Sequence, residues 1–184
     1  MNLLSDLEEK TIRRRTIFDG KLIRVQLDEV ELPDGRTSTR EIVHHPGAVG
    51  VLAFTDEGKL VFVRQYRNPL GKTILEIPAG KLEPGEDPKA CAFRELEEET
   101  GYRAEEMRPI VSFYTSPGFA DEILHLYEAR GLQKGERRPD TDEFVEVEEL
   151  TLQEAFAKME EGQICDAKTV VAVYFWHNRV LGGG

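Results

Sequence analysis

The part of this sequence that most constrains its fold and chemistry is residues 80–102, where a glycine turn leads into a segment rich in glutamate. Asp87 is an acceptable N-cap residue, Pro88 suits the first turn of a helix, and Gly101 is a usual helix stop. We therefore predict a helix over Pro88–Thr100. Its apolar residues recur at helical spacing on one side, so the helix is predicted to be amphipathic.

The polar side of this predicted helix carries three glutamates within about one turn of each other, Glu95, Glu98 and Glu99. Like charges one turn apart each cost about 0.2–0.5 kcal/mol, and carboxylates near a helix C-terminus oppose the helix dipole by about 0.3–1 kcal/mol. A solvated acidic face is the usual explanation of such a charge run. The alternative is a site for a hard cation, Mg²⁺ or Mn²⁺, because such ions take oxygen ligands and share substrate phosphates.

The glycine turn and the helix together carry one longer pattern. It consists of Gly80, Glu86, Arg94-Glu95-Leu96, Glu98-Glu99 and Gly101. This pattern resembles the complete Nudix box of the Nudix hydrolases, which cleave nucleoside diphosphates linked to another moiety. The one mild departure is Tyr102, which is aromatic where an aliphatic residue is commoner.

Hydrolysis of a pyrophosphate requires that phosphate charge is neutralised, that a water becomes nucleophilic and that the leaving phosphate is held in line. Metal ions between carboxylates and phosphates supply most of this, so we predict Glu95 and Glu99 as the principal metal ligands. Glu98 is predicted to bind an additional metal directly or through water, which also makes it a catalytic residue. The resemblance adds the backbone carbonyl of Ala79 as a further ligand.

The other predicted catalytic residues are Arg94, Glu86 and Glu143. Arg94 is expected to orient the glutamates, and Glu86 is expected to brace the loop. In the ADP-ribose pyrophosphatases of this family the general base resembles a glutamate on a loop before a late strand, and Glu143 in DEFVEV is the best match. Asp142 is the second candidate, and the alternative is that these acids only keep a loop soluble.

Two arginines are predicted to bind the substrate pyrophosphate, because arginine offers bidentate geometry to phosphate. Arg67 and Arg40 lie at positions that match the family, although a surface role is the alternative for each. Pro117 and Gly118 resemble the marker of ADP-ribose pyrophosphatases, while an ordinary turn is the simpler explanation of a Pro-Gly pair. Phe18 is a candidate for stacking on adenine, and a core position is its alternative.

The fold class predicted by the resemblance is an α/β/α sandwich with a mixed sheet, preceded by a small antiparallel sheet. Residues 11–45 carry three strand patterns, and three strands alone are marginally stable. The resemblance implies that this leading sheet is exchanged across a homodimer. We predict an N-terminal β subdomain at 1–45, a Nudix hydrolase domain at 46–181 and a disordered tail at 182–184.

Within the second domain, the apolar run AVGVLAFT and the following KLVFVRQYR predict a central strand and its hairpin partner. The remaining patterns alternate between strand and helix in a way that favours a layered α/β fold. Further strands are predicted near 73–77, 108–114, 123–129 and 143–147, and helices over Leu152–Glu160 and 167–180.

Bulk properties narrow the range of partners. The chain has 184 residues and a formal net charge of -11, which argues against general affinity for nucleic acid or anionic membranes. No run approaches the roughly 18 apolar residues needed to span a bilayer, and the N-terminus is too acidic for a signal peptide. We therefore expect a cytoplasmic protein with a small ligand, which the resemblance implies is a nucleotide sugar.

These features together predict a Mg²⁺-dependent ADP-ribose pyrophosphatase, with Mn²⁺ as a possible substitute, that produces AMP and ribose 5-phosphate. Three alternatives stay open at this point. One is a pyrophosphatase for another nucleotide sugar such as GDP-mannose, and another is a non-catalytic ADP-ribose-binding module. The third is an acidic protein that only buffers cations.

Overall fold

The computed structural model of the chain describes residues 7–137 and 144–182. Contacts divide the chain into two compact units. The first contains residues up to Gly47 together with Tyr114–Ile123, and the second contains Ala48–Phe113 and the chain from Leu124 onward. The boundaries predicted from the sequence, 1–45 and 46–181, stay a prediction.

The first unit is built on a three-stranded antiparallel sheet in the order β1-β2-β3, which confirms the predicted small N-terminal sheet. Its strands are β1 (Lys10–Asp19), β2 (Arg24–Glu31) and β3 (Thr37–His44). The later segment Tyr114–Ile123 joins β3 through Val43, whose N–H donates to the Phe119 carbonyl at 2.8 Å. All of β1 is exposed, so this edge strand presents both its side chains and its outer edge.

The second unit contains the remaining elements. The strands are β4 (Ala48–Ala53), β5 (Leu60–Arg67), β6 (Lys72–Glu76), β7 (Ala79–Lys81), β8 (Tyr102–Arg103), β9 (Glu106–Tyr114), β10 (Ile123–Arg130), β11 (Gln133–Lys134) and β12 (Val145–Leu150). The helices are α1 (Pro88–Thr100), α2 (Leu152–Glu160) and α3 (Ala167–Gly182). The last residue of β9, Tyr114, and the first residue of β10, Ile123, belong to the first unit.

These strands form a sheet of order β7-β4-β10-β9, a sheet of order β12-β5-β6 and the short pair β11-β8. The first sheet is mixed, since β4 runs parallel to β10 and antiparallel to β7. The predicted hairpin of β4 with β5 is wrong, because the two strands lie in different sheets and only an isolated bridge joins Phe54 to Leu60. Since β4 is buried on both faces, it suits the interior of a sheet beside a parallel partner.

Successive side chains on β4 and on β5 point to opposite faces of each sheet, as the alternation of a strand requires. They therefore pack into two separate hydrophobic clusters. One core cluster packs with helices α2 and α3 and includes Leu52, Phe62, Leu75, Leu126 and Trp176. The other packs with helix α1 and includes Val51, Val61, Ala92, Leu96 and Tyr127. Helices on both sides of the strands give the predicted α/β/α sandwich.

In the described part of the chain, no helix is both long enough and apolar enough to cross a bilayer.

Candidate active site

The candidate site is organised by α1 and by the turn that precedes it. The predicted bounds of this helix, Pro88–Thr100, are confirmed. The Asp87 carboxylate accepts hydrogen bonds from the N–H groups of Lys89 at 3.2 Å and Ala90 at 3.4 Å, which satisfies two free donors of the first turn. Gly101 ends the helix in the left-handed conformation at φ 74°, where glycine carries no steric penalty.

Two of the three predicted metal-binding glutamates are buried, so their face of α1 is not simply a solvated acidic face. Glu95 is 8% exposed and Glu99 is 3% exposed, whereas Glu98 keeps about a third of its side chain accessible. The Glu99 carboxylate accepts a hydrogen bond of 2.9 Å from the N–H of Ala79 on β7. The helix and the strand thus bring Ala79 and Glu99 together, and their roles as metal ligands stay predictions.

Gly80 is next to Ala79 and lies directly under the Glu95 carboxylate. A Cβ atom at residue 80 would stand 1.8 Å from the Glu95 Cδ and 1.9 and 2.3 Å from its two oxygens. Such distances are far inside van der Waals contact, so the first glycine of the motif is needed for close approach rather than for an unusual backbone angle.

Arg94 gives the acidic cluster its positive charge. Its Nη1 donates to Glu95 at 2.7 Å and to Glu98 at 3.0 Å. Its Nε and Nη2 donate to the two oxygens of Glu86 at 2.9 and 3.0 Å. The Glu86 carboxylate also accepts from the Glu83 N–H at 3.0 Å. These contacts are those that an orienting role for Arg94 and a bracing role for Glu86 would need, and both roles stay predictions.

A second charged network lies at the end of β5 and was missed in the sequence, apart from Arg67 itself. Arg67 donates through Nε at 2.7 Å and through Nη2 at 2.5 Å to the two oxygens of Glu76. Lys168 donates to Glu76 at 2.7 Å and to Asp166 at 2.9 Å. A sequence signal for this network is the presence of one acid, Glu76, at the end of the apolar run Ile74–Leu75 of β6.

Four predicted substrate-binding residues belong to the first unit. Arg40 on β3 makes an ion pair with Glu9 and also donates to Ser38 Oγ at 3.0 Å. Phe18 on β1 is 54% exposed, so the alternative of a core position is wrong within this unit. Pro117 and Gly118 lie in a turn closed by a 3.1 Å hydrogen bond from the Phe119 N–H to the Ser116 carbonyl. Their contacts with substrate stay predictions.

The predicted general base Glu143 and its alternative Asp142 lie outside the described residues. The strand that follows them begins at Val145, which pairs with Gln65 on β5. Since β5 ends at Arg67, the chain enters β12 beside the end of β5 that carries this arginine.

The described residues fit a hard divalent cation by the chemistry of their donors. Glu95 and Glu99 are buried carboxylates one turn apart, and the Ala79 peptide lies against them, so the available donors are oxygens. Among residues 7–137 and 144–182, no three Asp, Glu, His or Cys side chains already converge as a ligand set. Arg94 holds Glu95 and Glu98, so a bound cation would have to share these carboxylates with the guanidinium.

Comparison with known protein families identifies the family of this chain. The NUDIX domain model matches residues 44–171. The chain belongs to the Nudix family. A second model, the nucleoside diphosphate sugar hydrolase N-terminal domain, matches residues 9–43, the part of this Nudix protein that forms the leading antiparallel sheet.

Individual relatives cover most of this Nudix chain. A protein of Bacillus methanolicus named methanol dehydrogenase activator is 60% identical over 91% of the chain and 92% of its own length. An ADP-ribose pyrophosphatase of Bacillus subtilis strain 168 is 55% identical over 94% of each chain. A solved structure of an ADP compounds hydrolase has a TM-score of 0.84 at 20% identity and covers 96% of both chains, which shows that the fold is shared.

We expect Gly80→Ala to displace the Glu95 carboxylate, since the added methyl group would occupy its present position. Turnover by this Nudix protein should fall by about 10–100-fold, the loss typical when a ligand is disoriented, and more Mg²⁺ should be needed for half-maximal activity. Gly182→Ala is a control because a Cβ there meets no atom within 4 Å. Unchanged Mg²⁺ dependence in Gly80→Ala would contradict a role for Glu95 at the cation.

Charge within the Nudix helix also shifts several pKa values. Hydrogen bonds from Arg94, aided by the Glu83 N–H, lower the pKa of Glu86 from 4.5 to about 2, although burial opposes this shift. The carboxylates of Glu86, Glu95 and Glu98 in turn raise the pKa of Arg94. Burial raises the pKa of the Cys91 thiol to about 12, against the attraction of Arg94. Cys91 is therefore a neutral thiol at physiological pH and no nucleophile.

The lowered pKa of Glu86 predicts acid sensitivity. Because the folded-state pKa lies below the unfolded value of 4.5, the carboxylate stabilises the fold above about pH 4.5 and loses this effect as the pH falls towards 2. We expect Glu86→Gln to be less stable than the wild type at pH 7, and the difference in unfolding free energy should shrink at pH 3. Urea unfolding at both pH values measures it, and a difference that is constant with pH would contradict the assignment.

Proposed function

We propose that this Nudix protein hydrolyses the pyrophosphate of ADP-ribose in the presence of a divalent cation. One water is added and one phosphoanhydride bond is broken, which gives AMP and ribose 5-phosphate. The observation that carries the proposal is the pair of buried carboxylates, Glu95 and Glu99, held against the Ala79–Gly80 turn. The high identity to a relative named ADP-ribose pyrophosphatase supports the choice of substrate.

We assign the cation to Glu95, Glu99 and the carbonyl of Ala79, with Glu98 as a ligand of an additional ion directly or through water. Mg²⁺ is the proposed ion and Mn²⁺ a possible substitute, because both are hard cations that accept carboxylate and phosphate oxygens. When bound, such an ion neutralises phosphate charge and makes a coordinated water more acidic. Arg94 orients Glu95 and Glu98 for this task.

The chain's own groups perform the remaining steps. Glu143 is the proposed general base that takes the proton of the attacking water, with Asp142 as the alternative. Arg67 is the proposed donor to the substrate pyrophosphate. Its Nε and Nη2 are used by Glu76, and its Nη1 has no hydrogen bond to any described residue, so this edge can serve a phosphate oxygen.

The N-terminal sheet is proposed to complete the substrate site across a homodimer. Among the described residues β1 pairs with β2 alone, so its other edge offers backbone groups to a second copy. Arg40, Phe18, Pro117 and Gly118 are proposed to contact the substrate from this part of the molecule. We further propose that the protein works in the cytoplasm on a small nucleotide sugar, with neither nucleic acid nor membrane as a partner.

Product analysis after incubation with ADP-ribose, with and without Mg²⁺, tests the proposal. Metal-dependent release of AMP and ribose 5-phosphate in equal amounts is the expected result. GDP-mannose at the same concentration serves as the competing substrate, and a higher kcat/KM for GDP-mannose would replace ADP-ribose as the substrate. Binding of ADP-ribose with no products would instead favour a non-catalytic module.

A second candidate function is activation of a methanol dehydrogenase, which the 60% identity to a relative of that name favours. Adding the wild-type chain to such a dehydrogenase should raise its rate. Glu99→Gln should fail to do so if activation depends on hydrolysis, and should succeed if activation depends only on binding. No effect of either protein on the rate would remove this candidate.

A further inference from the structure

The network of Arg67, Glu76, Lys168 and Asp166 assembles groups that are far apart in the chain around one buried carboxylate. Glu76 is 2% exposed, and an isolated buried carboxylate is strongly unfavourable unless cations and hydrogen bonds compensate it. Burial alone would raise the pKa of Glu76, but Arg67 and Lys168 outweigh it and the pKa is lowered. Glu76 is therefore an anion that depends on both cations.

The two cations on Glu76 are differently placed. Arg67 lies at the end of β5 with 39% of its side chain exposed. Its hydrogen bonds to Glu76 raise its pKa against the effect of burial, and the negative charge of Glu99 adds to this shift. Lys168 is only 12% exposed and sits in the first turn of α3, with its ammonium between Glu76 and Asp166. One cation can therefore meet a ligand, and the other is enclosed among carboxylates.

Asp166 fixes the position of Lys168 from the other side. Its Oδ2 accepts from the Thr169 N–H at 3.2 Å as well as from Lys168, so the start of α3 and the lysine are held by one oxygen. The buried Thr169 hydroxyl in turn accepts from the Ile77 N–H at 3.1 Å. The first turn of α3 is thereby tied to the chain just before the Ala79–Gly80 turn.

We propose that Lys168 is a positioning residue for the reaction, holding the Arg67 guanidinium in the orientation that leaves Nη1 open to the substrate pyrophosphate. This inference rests on the proposed function and extends it to a residue that does not contact substrate. The Lys168 ammonium and the Arg67 Nη2 donate to the same oxygen of Glu76, at 2.7 and 2.5 Å. Without the ammonium this oxygen loses one of its two donors and the Glu76 carboxylate can shift, so the guanidinium would leave its two-bonded position.

A kinetic double-mutant cycle tests this dependence. Lys168→Met keeps the length of the side chain and removes its charge, and it should lower kcat/KM for ADP-ribose by about tenfold or more, the scale of one misaligned charge-assisted hydrogen bond. In an Arg67→Ala background the same change should have less than about a twofold effect, because the group that Lys168 positions is gone. Losses that multiply in the double variant would overturn the proposal.

Control measurements separate positioning from stability. Lys158→Met removes another ion-paired lysine, bound to Glu161 at 2.9 Å on α2, and should leave kcat/KM unchanged. A Lys168→Met protein with a lowered melting temperature and wild-type kcat/KM would show a structural role only, which also overturns the proposal. Should Lys168→Met fail to fold, Glu76→Gln is compared with Glu76→Gln/Lys168→Met, and the proposal requires equal kcat/KM in these two.

The positioning of Arg67 can also be measured without turnover, by nuclear magnetic resonance of its Nε–H. The signal of this proton is assigned from its absence in Arg67→Lys. If the wild type releases no AMP, the proposed function is wrong, but this measurement still tests the positioning role. This proton should exchange at least about tenfold faster in Lys168→Met than in the wild type, because its bond to Glu76 is loosened. Equal exchange rates in folded proteins would refute the positioning role.

Discussion

Glu99→Gln is expected to lower the turnover of ADP-ribose by more than about 100-fold, since even loss of a residue that only supports a metal ligand costs about 10–100-fold. The substitution removes one ligand charge and keeps the size of the side chain. Its amide oxygen can still accept the hydrogen bond that Ala79 now donates at 2.9 Å. The fold should therefore be retained, and loss of a buried like charge on α1 should leave the melting temperature equal or higher.

The chain provides a matched control on the same helix. Glu97 is an acid two residues away whose carboxylate pairs with Arg103 at 2.6 Å, and Glu97→Gln should change kcat by less than about twofold because surface ion pairs contribute little. The measurement is kcat over a Mg²⁺ titration, with thermal unfolding of each protein alongside. Activity close to wild type in Glu99→Gln would overturn the metal assignment.

The helix that carries this residue could be predicted to the residue because its limits are set locally. Asp87 caps its N–H groups, Pro88 has the required backbone angle, and Gly101 adopts the left-handed conformation. Each of these effects depends on neighbours within a few positions. Strand partners depend on distant segments, which is why β4 and β5 were predicted as strands but wrongly as a hairpin pair.

The charges of the site show the same division between local and distant effects. The sequence marked Glu95, Glu98 and Glu99 as a cluster in need of positive charge, and part of that charge comes from Arg94 on the same helix. Repulsion between the glutamates is therefore a weaker argument for a bound cation than the burial of Glu95 and Glu99. This burial could not be predicted from the periodicity of the sequence. The partner of Glu76 at Lys168 is 92 positions away in the chain, so only the folded structure brings them together.

Glu143→Gln is expected to lower kcat by about 10²–10⁴-fold, the usual contribution of a positioned general base. The amide cannot accept a proton from water at neutral pH, so the chemical step should slow. KM should change by less than about threefold if Glu143 acts on the water rather than on substrate binding. The pH profile of kcat should also lose its acidic limb, which reports protonation of the base in the enzyme–substrate complex.

Asp142→Asn is the matched variant for this prediction, because it removes the neighbouring charge in the sequence and leaves Glu143 in place. The chain after both residues enters β12 opposite Gln65, two residues before Arg67, so either acid precedes a strand that begins beside the proposed phosphate donor. Steady-state kinetics of the two variants therefore assign the base. Full speed in Glu143→Gln together with a large loss in Asp142→Asn would transfer the role to Asp142, while equal small losses would mean that neither acid is the base.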